Sequence, residues 1–382
     1  MKKCIILHTA NYSSKIKNYF CVDELIKNGV DVEFWNVGPI TVNEHLAEEF
    51  SQGLVVRTIN NKQEYVELIK RNDDALYFLY INYAWYSLYI YRILSKYDRK
   101  IVYCTSGCLP LADTNKRSLK KLMRLRPRQI ILRLLSILLQ LYLKTPLFNP
   151  SDFILKSCNI ATTDYKISYN TIWIGINSSD YQGYKKLNNG NIPNDRYIVY
   201  IDQYLPFHND FLIHGISHID YKSFFSALNN LFNELEQKYD CRVVIAAHPS
   251  SILYKETNFF DGREIIYSKT CELIKNCIGA ISCNSTAISF PVLDYKPILL
   301  YTSNEIKEKY YNIHPEYFSE ALGLEVVNID NYCDCSFPSI NQDKYDEYRH
   351  NYLTTSVSET TNNSDIIISL LNNNHFKYQY YE

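Results

Sequence analysis

Short apolar runs alternate with amphipathic stretches along the chain, and this pattern predicts alternating strands and helices. The predicted strands of the first half are residues 4–8, 32–37, 75–81 and 100–104, with a helix at 15–28. Those of the second half are residues 197–202, 243–247, 278–282 and 297–301, with a helix at 222–238. Because strands and helices alternate in both halves, each half is predicted to form a parallel sheet covered by helices.

A stretch rich in Asn, Gly, Ser and Lys, residues 178–195, lies between the halves and is predicted to be a linker. The chain has 382 residues, enough for two domains of ordinary size. The sequence therefore predicts an α/β protein with two Rossmann-like lobes and a cleft between them. The expected bounds are 1–180 for the first lobe, 190–355 for the second and 356–382 for a C-terminal tail, whose helix at 364–371 is expected to pack on the first lobe.

Composition narrows the class of protein. With 46% hydrophobic and 21% charged residues, the chain can form buried hydrophobic cores. Its net charge of −1 does not attract a polyanion, so nucleic acid is not an expected partner. The turn at residues 9–14 has no glycine fingerprint, which disfavours dinucleotide binding there. The 11 cysteines form no CxxC pair, as expected of a reduced cytosolic protein, and the first residues lack the features of a signal peptide.

Two polar clusters follow predicted strands of the second half. The first is His248-Pro249-Ser250, directly after the strand at 243–247. The second is Asn284-Ser285-Thr286, between the strand at 278–282 and a predicted helix. Ligands of parallel sheets bind beyond the carboxyl ends of the strands, where both clusters fall. Imidazole, hydroxyl groups and the N–H groups of a helix start are donors that suit a phosphate, so both clusters are predicted to bind one.

Three more side chains of the second half are candidates for the same ligand. Arg263 is a candidate counter-charge for a phosphate, although a surface position is the commoner fate of an arginine. Thr270 and Glu272 open a predicted helix, where Thr270 is either a helix cap or a ligand contact and Glu272 would accept from ribose hydroxyls.

Asp202 ends the strand at 197–202 and has two interpretations. A carboxylate at this edge is suited to be the general base that takes a proton from an acceptor hydroxyl. The alternative is an aspartate that stabilises a turn or a helix cap. The acceptor side is assigned to His8, Asn11, Gln203 and His208.

The sequence predicts no metal site. His208, His214 and His218 are close in sequence, but their spacing fits no standard metal triad and His214 and His218 lack the glutamate of an HExxH motif. No Asp-x-Asp occurs in the chain, which argues against a carboxylate–metal clamp on a nucleotide sugar. Neutralisation of a leaving phosphate would then depend on hydroxyl groups, helix dipoles and basic side chains.

The order of Asp202, His248-Pro249 and Ser285-Thr286, each at a strand end or helix start, resembles bacterial GT-B glycosyltransferases of capsule and lipopolysaccharide assembly. It is most similar to the sialyltransferase-like and Kdo-transferase-like groups, and the resemblance covers residues 197–301. The resemblance implies that Asp202 of the acidic motif is the general base and that His248 is the second catalytic residue. It also implies that the His-Pro and Ser-Thr motifs hold the phosphate of a CMP-sugar. The acidic motif departs from the family pattern, since Asp202-Gln203-Tyr204 replaces an acidic pair followed by Gly.

Residues 116–144 combine charge with apolarity. Seven Lys or Arg lie between Lys116 and Arg128, and a leucine-rich stretch at 130–143 follows. The stretch is too short to span a bilayer, so the segment is predicted to be a helix that lies on an anionic membrane surface. A core helix behind a solvated basic loop is the alternative.

Together these features predict a metal-independent glycosyltransferase without a cofactor, peripheral on the cytosolic face of the membrane. The expected donor is a CMP-linked nonulosonic acid, sialic-acid-like or Kdo-like, and the acceptor a surface polysaccharide or lipid-linked oligosaccharide. A hexosyltransferase using a UDP-, GDP- or dTDP-sugar, a polyol-phosphate transferase and a non-catalytic nucleotide-sugar or polysaccharide-binding protein are the alternatives.

Overall fold

The structure, a computed structural model, describes residues 3–41, 53–105, 108–110, 127–187, 196–208, 219–309, 315–332, 334–374 and 376–380. The chain forms two units. Unit 1 comprises Met1–Cys108, Asp113–Gly183 and His350–Glu382, and unit 2 comprises Leu109–Ala112 and Tyr184–Arg349.

Unit 1 contains a parallel sheet. Its strands within the described residues are β1 (Lys3–His8), β2 (Asp31–Asn36), β3 (Val55–Thr58), β4 (Leu76–Leu79), β5 (Lys100–Cys104), β6 (Phe153–Lys156) and β7 (Ile172–Gly175). They lie in the order β3-β2-β1-β4-β5-β6-β7, and every neighbouring pair is parallel. The α-helices within the described residues are α1 (Ser14–Phe20), α2 (Val22–Lys27), α3 (Lys62–Arg71), α4 (Leu88–Lys96), α5 (Pro127–Leu143) and α6 (Ser179–Lys186), which continues into unit 2 at Tyr184.

Both faces of this sheet are buried, which explains why its strands are continuous apolar runs. In β1, Cys4 and Ile6 face one core layer together with Phe20 of α1. Ile5 and Leu7 face the opposite layer, which is formed by residues of β2, β4 and α4. The alternation of side chains along a strand thus supplies two cores from one sequence run.

Unit 2 also contains a parallel sheet. Its strands within the described residues are β8 (Tyr197–Ile201), β9 (Arg242–Ala247), β10 (Ile265–Tyr267), β11 (Gly279–Ser282), β12 (Ile298–Thr302) and β13 (Val326–Asn328). They lie in the order β10-β9-β8-β11-β12-β13. The helices are α7 (Tyr221–Tyr239), α8 (Thr270–Asn276), α9 (Ser289–Leu293), α10 (Asn304–Lys309), α11 (Pro315–Leu322) and α12 (Gln342–Tyr348).

Both sheets have the strand order of a Rossmann fold. Counted within each unit, the order begins 3-2-1-4-5-6, and the direction of winding reverses next to the first strand. The reversal lies between β1 and β4 in unit 1 and between β8 and β11 in unit 2. The α/β class with two Rossmann-like units is therefore confirmed.

The chain returns to unit 1 after unit 2. Helix α13 (Asn363–Leu371) buries Ile366, Ile367 and Leu370 in the core layer that also contains Ile6. Farther along, Gln379 pairs with Ile174 of the edge strand β7. This pairing covers part of an edge that would otherwise expose unpaired backbone groups.

The predicted helix at 15–28 is wrong as one element, because α1 and α2 are separated at Cys21. Cys21 has a left-handed backbone with φ of 49°, and its N–H donates to carbonyl groups at the end of α1. This conformation ends a helix but is usually adopted by glycine or asparagine, so the sequence carried no signal for it.

The segment at 116–144 is described only in part, since residues 111–126, with most of the basic cluster, lie outside the described residues. The remainder forms α5, from Pro127 to Leu143. Within the described residues, every helix is too short or too polar to cross a bilayer.

Replacing Asn363 by Ala should destabilise unit 1. The Asn363 amide donates to the carbonyl groups of Tyr19 (2.6 Å) and Asn177 (2.9 Å) and accepts from the N–H of Asn177 (3.0 Å). All three backbone groups would lose a partner, at about 1–3 kcal/mol for each group left unsatisfied. We expect the free energy of urea unfolding to fall by at least about 3 kcal/mol. Exposed Asn374, replaced by Ala, is the control, and equal stability of the two variants would contradict this role.

Candidate functional site

The carboxyl edge of the unit 2 sheet collects most of the predicted site residues. Asp202 follows β8, His248 follows β9, Thr270 follows β10 and Asn284 follows β11. Because β8 and β11 flank the point where the winding reverses, the loops after these two strands form the crevice in which such sheets bind ligands.

The carboxylate of Asp202 is buried, and both of its oxygens accept hydrogen bonds from the protein. Its Oδ1 accepts from the N–H of Tyr204 (2.9 Å) and the hydroxyl of Tyr254 (3.1 Å). Its Oδ2 accepts from the N–H of His248 (3.1 Å). Burial raises the pKa of the Asp202 carboxyl to about 6, and the hydrogen bonds from Tyr204 and His248 oppose this rise.

These contacts change the interpretation of Asp202. Both oxygens hold turns of the protein together, and only 4% of the residue is exposed. A general base must reach the proton that it abstracts. The geometry therefore supports the turn aspartate that the sequence left open, rather than the predicted base.

Gln203 connects the same strand end to the other side of the crevice. Its Oε1 accepts from the N–H of Asn284 at 2.7 Å. The consecutive residues Asp202 and Gln203 thus bind the backbone of the loop after β9 and of the loop after β11. Gln203, assigned to the acceptor side from sequence, uses this oxygen inside unit 2.

One ring nitrogen of His248 accepts a backbone hydrogen bond. The N–H of Ser250 donates to its Nδ1 at 3.2 Å, so the neutral imidazole carries its proton on Nε2. The ring is half-buried, and the His208 ring lies at a centroid distance of 5.6 Å. Burial, and to a lesser extent the neighbouring His208, lower the pKa of His248. At neutral pH His248 is therefore an uncharged N–H donor, which suits a phosphate oxygen.

The predicted hydroxyl cluster forms a tight turn after β11. Ser285 caps a 3-10 segment, Thr286–Ile288, by accepting from the N–H of Ala287 at 3.2 Å. Thr286 is exposed, whereas Asn284 and Ser285 are partly buried. The α-helix that follows, α9, has only five residues, so its dipole is weaker than the sequence suggested.

The structure separates Arg263 from this edge. Its guanidinium pairs with Glu236 at 2.7 Å and donates to Asn233 at 2.6 Å, near the end of α7. Arg263 also precedes β10, so it lies at the amino end of that strand, and the predicted phosphate contact is not supported. The interaction with Glu236 was not visible in the sequence, because 27 residues separate the partners.

The remaining predicted contacts of unit 2 lie at the carboxyl edge. Pro249 and Ser250 are exposed in the turn after β9. Thr270 and Glu272 are half-buried in the first turn of α8, whose N-cap is Lys269 rather than Thr270. Thr270 is therefore not the cap, and its direct ligand contact stays a prediction.

The carboxyl edge of unit 1 contains the other two predicted residues. His8 ends β1, its Nδ1 accepts from the N–H of Ala10 (2.8 Å), and its ring stacks on Tyr80 at a centroid distance of 5.5 Å. Burial lowers the pKa of His8. Asn11 accepts from the Nδ2 of Asn36 at 2.7 Å.

Three residues at this edge were missed by the sequence analysis. Asp180, in the first turn of α6, acts electrostatically on Tyr80, and Lys15 acts on both Asp180 and His8. Burial raises the pKa of Asp180, while Lys15 and a hydrogen bond from the Ser179 hydroxyl oppose the rise. Asp180 follows β7, four strand positions from β1 along the sheet, so sequence order gave no indication of this grouping.

Metal ligands were searched for in the described part of the chain. It contains no group of three or more His, Cys, Asp or Glu residues arranged to hold an ion. His214 and His218 lie outside the described residues.

The sequence matches no protein-family model and no curated protein. Solved structures do resemble the chain. The wall teichoic acid polymerase TagF covers 98% of this chain with 89% of its own length, at 11% identity and a TM-score of 0.54. UDP-GlcNAc 2-epimerase from Methanocaldococcus jannaschii aligns over 97% of this chain and 99% of its own, at 13% identity and a TM-score of 0.49. The spinosyn rhamnosyltransferase SpnG aligns over 99% of this chain and 93% of its own, at 12% identity and a TM-score of 0.44.

The chain has a GT-B-like fold. The likeness to TagF, together with the two parallel sheets, carries this conclusion. The likeness to sialyltransferase-like and Kdo-transferase-like groups stays a prediction from the sequence.

Asp202 should make stability depend on pH between about 4 and 6. Its folded pKa is about 6, above the ordinary 3.8, so the folded state binds the extra proton in this range and becomes less stable as pH rises through it. Relative to Asp202→Asn, the wild type should lose about 2 kcal/mol of unfolding free energy between pH 4 and pH 6. Urea unfolding of both proteins at several pH values measures the difference, and a difference that is constant with pH would contradict it.

Proposed function

We propose that the protein is a metal-independent glycosyltransferase that uses a nucleotide sugar bound at the carboxyl edge of unit 2. The observation that carries the proposal is the connection made by Asp202 and Gln203, which fixes the backbone of the turns after β9 and β11. These turns present the Nε2–H of His248 and the polar groups of residues 284–286 at the point where Rossmann-like sheets bind phosphates.

The donor that we propose first is a CMP-linked nonulosonic acid, sialic-acid-like or Kdo-like. The order of the acidic, His-Pro and Ser-Thr motifs supports it, and a neutral His248 suits a phosphate that needs one strong donor. The acceptor would be a surface polysaccharide or a lipid-linked oligosaccharide. A UDP-, GDP- or dTDP-hexose is the alternative donor.

A non-catalytic nucleotide-sugar-binding protein is the second candidate, and the burial of Asp202 favours it. Such a protein would keep the phosphate contacts and need no base. We favour the transferase because the order of the acidic, His-Pro and Ser-Thr motifs resembles that of GT-B glycosyltransferases. Asp180, whose pKa is raised by burial, is the candidate proton acceptor in place of Asp202.

A panel of CMP-, CDP-, UDP-, GDP- and dTDP-linked compounds, tested by thermal shift, should identify the donor class, because a ligand that binds the folded state raises the melting temperature. We expect the largest increase with a cytidine nucleotide. His248→Ala should remove most of the increase, whereas His350→Ala, which breaks a contact with Glu359 in unit 1, should keep it. An increase that persists in His248→Ala would contradict the proposed phosphate contact.

Turnover separates the two candidate functions. With the donor so identified and an oligosaccharide acceptor, His248→Ala should lose on the order of 10²-fold in turnover. Asp180→Asn should lose about 10²-fold or more and keep the donor-induced shift. Donor binding without transfer to any acceptor of a surface-glycan panel would favour the binding protein.

We also propose that α5 lies on an anionic membrane surface on the cytosolic side. It buries Leu139 and Leu143 in the core of unit 1. It leaves five large apolar side chains between 39% and 57% exposed, namely Leu134, Leu135, Ile137, Leu138 and Leu141. The basic residues that precede α5 in the sequence supply the charge that such a surface attracts.

Liposome sedimentation tests this role. Replacing Leu134, Leu138 and Leu141 by Ser should weaken binding to anionic vesicles by about tenfold or more, since each leucine loses apolar burial. Replacing Lys120, Lys121, Arg124 and Arg126 by Glu should remove the dependence of binding on salt. Ile167→Ser, at a residue that is 52% exposed elsewhere in unit 1, is the control. Equal vesicle binding by all variants would exclude the role.

A further inference from the structure

Two free thiols meet at the carboxyl edge of the unit 1 sheet. Cys108 comes four residues after the end of β5, and Cys158 comes two residues after the end of β6. The thiol of Cys158 donates a hydrogen bond to the sulfur of Cys108, and the backbone N–H of Cys108 donates to the sulfur of Cys158. The geometry of the sheet agrees: β5 and β6 are paired neighbours, and the hydroxyl groups of Thr105 and Ser157 are hydrogen-bonded at 3.1 Å just beyond them. The segments that carry the two sulfur atoms therefore lie side by side.

The two cysteines differ in access to solvent. Cys158 is fully buried, whereas Cys108 is half-exposed. A reagent in solution therefore reaches Cys108 before Cys158. This is the arrangement of an attacking thiol in front of a second thiol that can displace what it has bound.

A buried cation lies near the pair. Lys156, at the end of β6, is only 3% exposed, and its Nζ lies 4.3 Å from the ring centroid of Tyr380 and 5.4 Å from that of Trp173. The ammonium group acts electrostatically on the sulfur of Cys108. A positive charge beside a sulfur atom stabilises its thiolate form.

These contacts shift the pKa values of Cys108 and Cys158 in opposite directions. The hydrogen bond from Cys158, and then the charge of Lys156, lower the pKa of Cys108 against the opposing effect of burial. The same hydrogen bond, together with burial, raises the pKa of Cys158. Cys241 is also half-exposed, but burial raises its pKa. Exposure alone therefore does not distinguish Cys108 from Cys241. The hydrogen bond from Cys158 and the charge of Lys156 do.

We propose that Cys108 and Cys158 form a peroxide-reactive dithiol that closes reversibly to a disulfide. The thiolate of Cys108 attacks one oxygen of hydrogen peroxide, forms a sulfenic acid and releases hydroxide. The thiol of Cys158 then attacks the sulfenic sulfur, loses its proton and releases water as the S–S bond forms. The two sulfurs lose two electrons in total and one peroxide is reduced. A dithiol reductant restores both thiols.

The disulfide would fix a particular part of the chain. Cys108 precedes the sequence that leads to α5, and Cys158 follows β6. Oxidation would therefore tie the chain after β5 to the carboxyl edge of the sheet and close a covalent loop that includes α5. This inference does not depend on the proposed transferase activity.

Alkylation and peroxide treatment of the full chain test the proposal. In the reduced protein at neutral pH, iodoacetamide should modify Cys108 on the order of tenfold faster than Cys241, as measured by peptide mass spectrometry. In a separate sample that has not been alkylated, one equivalent of hydrogen peroxide should give a linked pair of peptides that contain Cys108 and Cys158 and together are lighter by two hydrogen atoms than the two reduced peptides. Dithiothreitol should separate the pair.

Two variants assign the roles of the thiols. Cys158→Ser should stop the reaction at the sulfenic acid of Cys108, which dimedone traps, whereas Cys241→Ser should form the disulfide normally. Equal alkylation of Cys108 and Cys241, or no linked peptides from folded wild-type protein after peroxide, would overturn the proposal. Both of these results come from the wild type, so they hold even if Cys158→Ser does not fold.

Discussion

The buried carboxylate of Asp202 is the interaction on which the candidate site depends. Parallel strands end at one edge, but nothing in the sheet itself fixes the loops that leave them. Asp202 accepts from backbone N–H groups in its own loop and in the loop after β9, so one side chain sets the positions of both. Gln203 extends the same arrangement to the loop after β11. The cost of burying the carboxyl appears as its raised pKa.

The two units use the same device at a strand end. In His8 and in His248, the N–H two residues farther along the chain donates to Nδ1. Both imidazoles therefore keep the proton on Nε2 when neutral, and both have a lowered pKa because they are partly buried. Each sheet thus presents a neutral N–H donor at its carboxyl edge. The units differ in their neighbours: His208 lies beside His248, whereas Tyr80 stacks on His8.

Sequence patterns predicted β1, β2, β4 and β5 of unit 1 and β8, β9, β11 and β12 of unit 2, because strands buried on both faces are continuous apolar runs. They did not predict β6, which lies inside the first sheet, or β7 at its edge. The short strands β3, β10 and β13 lie at sheet edges and are only partly buried, so their residues carry no such pattern. Because His248 and Asn284 directly follow predicted strands, the sequence also placed them correctly at the carboxyl edge of the sheet. The role of Asp202 could not be derived in this way, since it depends on Tyr254, 52 residues away. Side-chain partners that are distant in sequence decide whether a polar residue is structural or free to act.

The return of the chain to unit 1 has a consequence for biosynthesis. Residues of α13 complete a core layer whose other members include Ile6 of β1, and Asn363 contacts Tyr19 across 344 residues of sequence. Translation proceeds from the N-terminus, so all of unit 2 leaves the ribosome before this layer can close. One apolar face of the first sheet therefore stays incompletely covered while the second sheet is synthesised. During that interval the nascent chain exposes an apolar surface of the kind that chaperones recognise, and the synthesis of α13 ends the exposure.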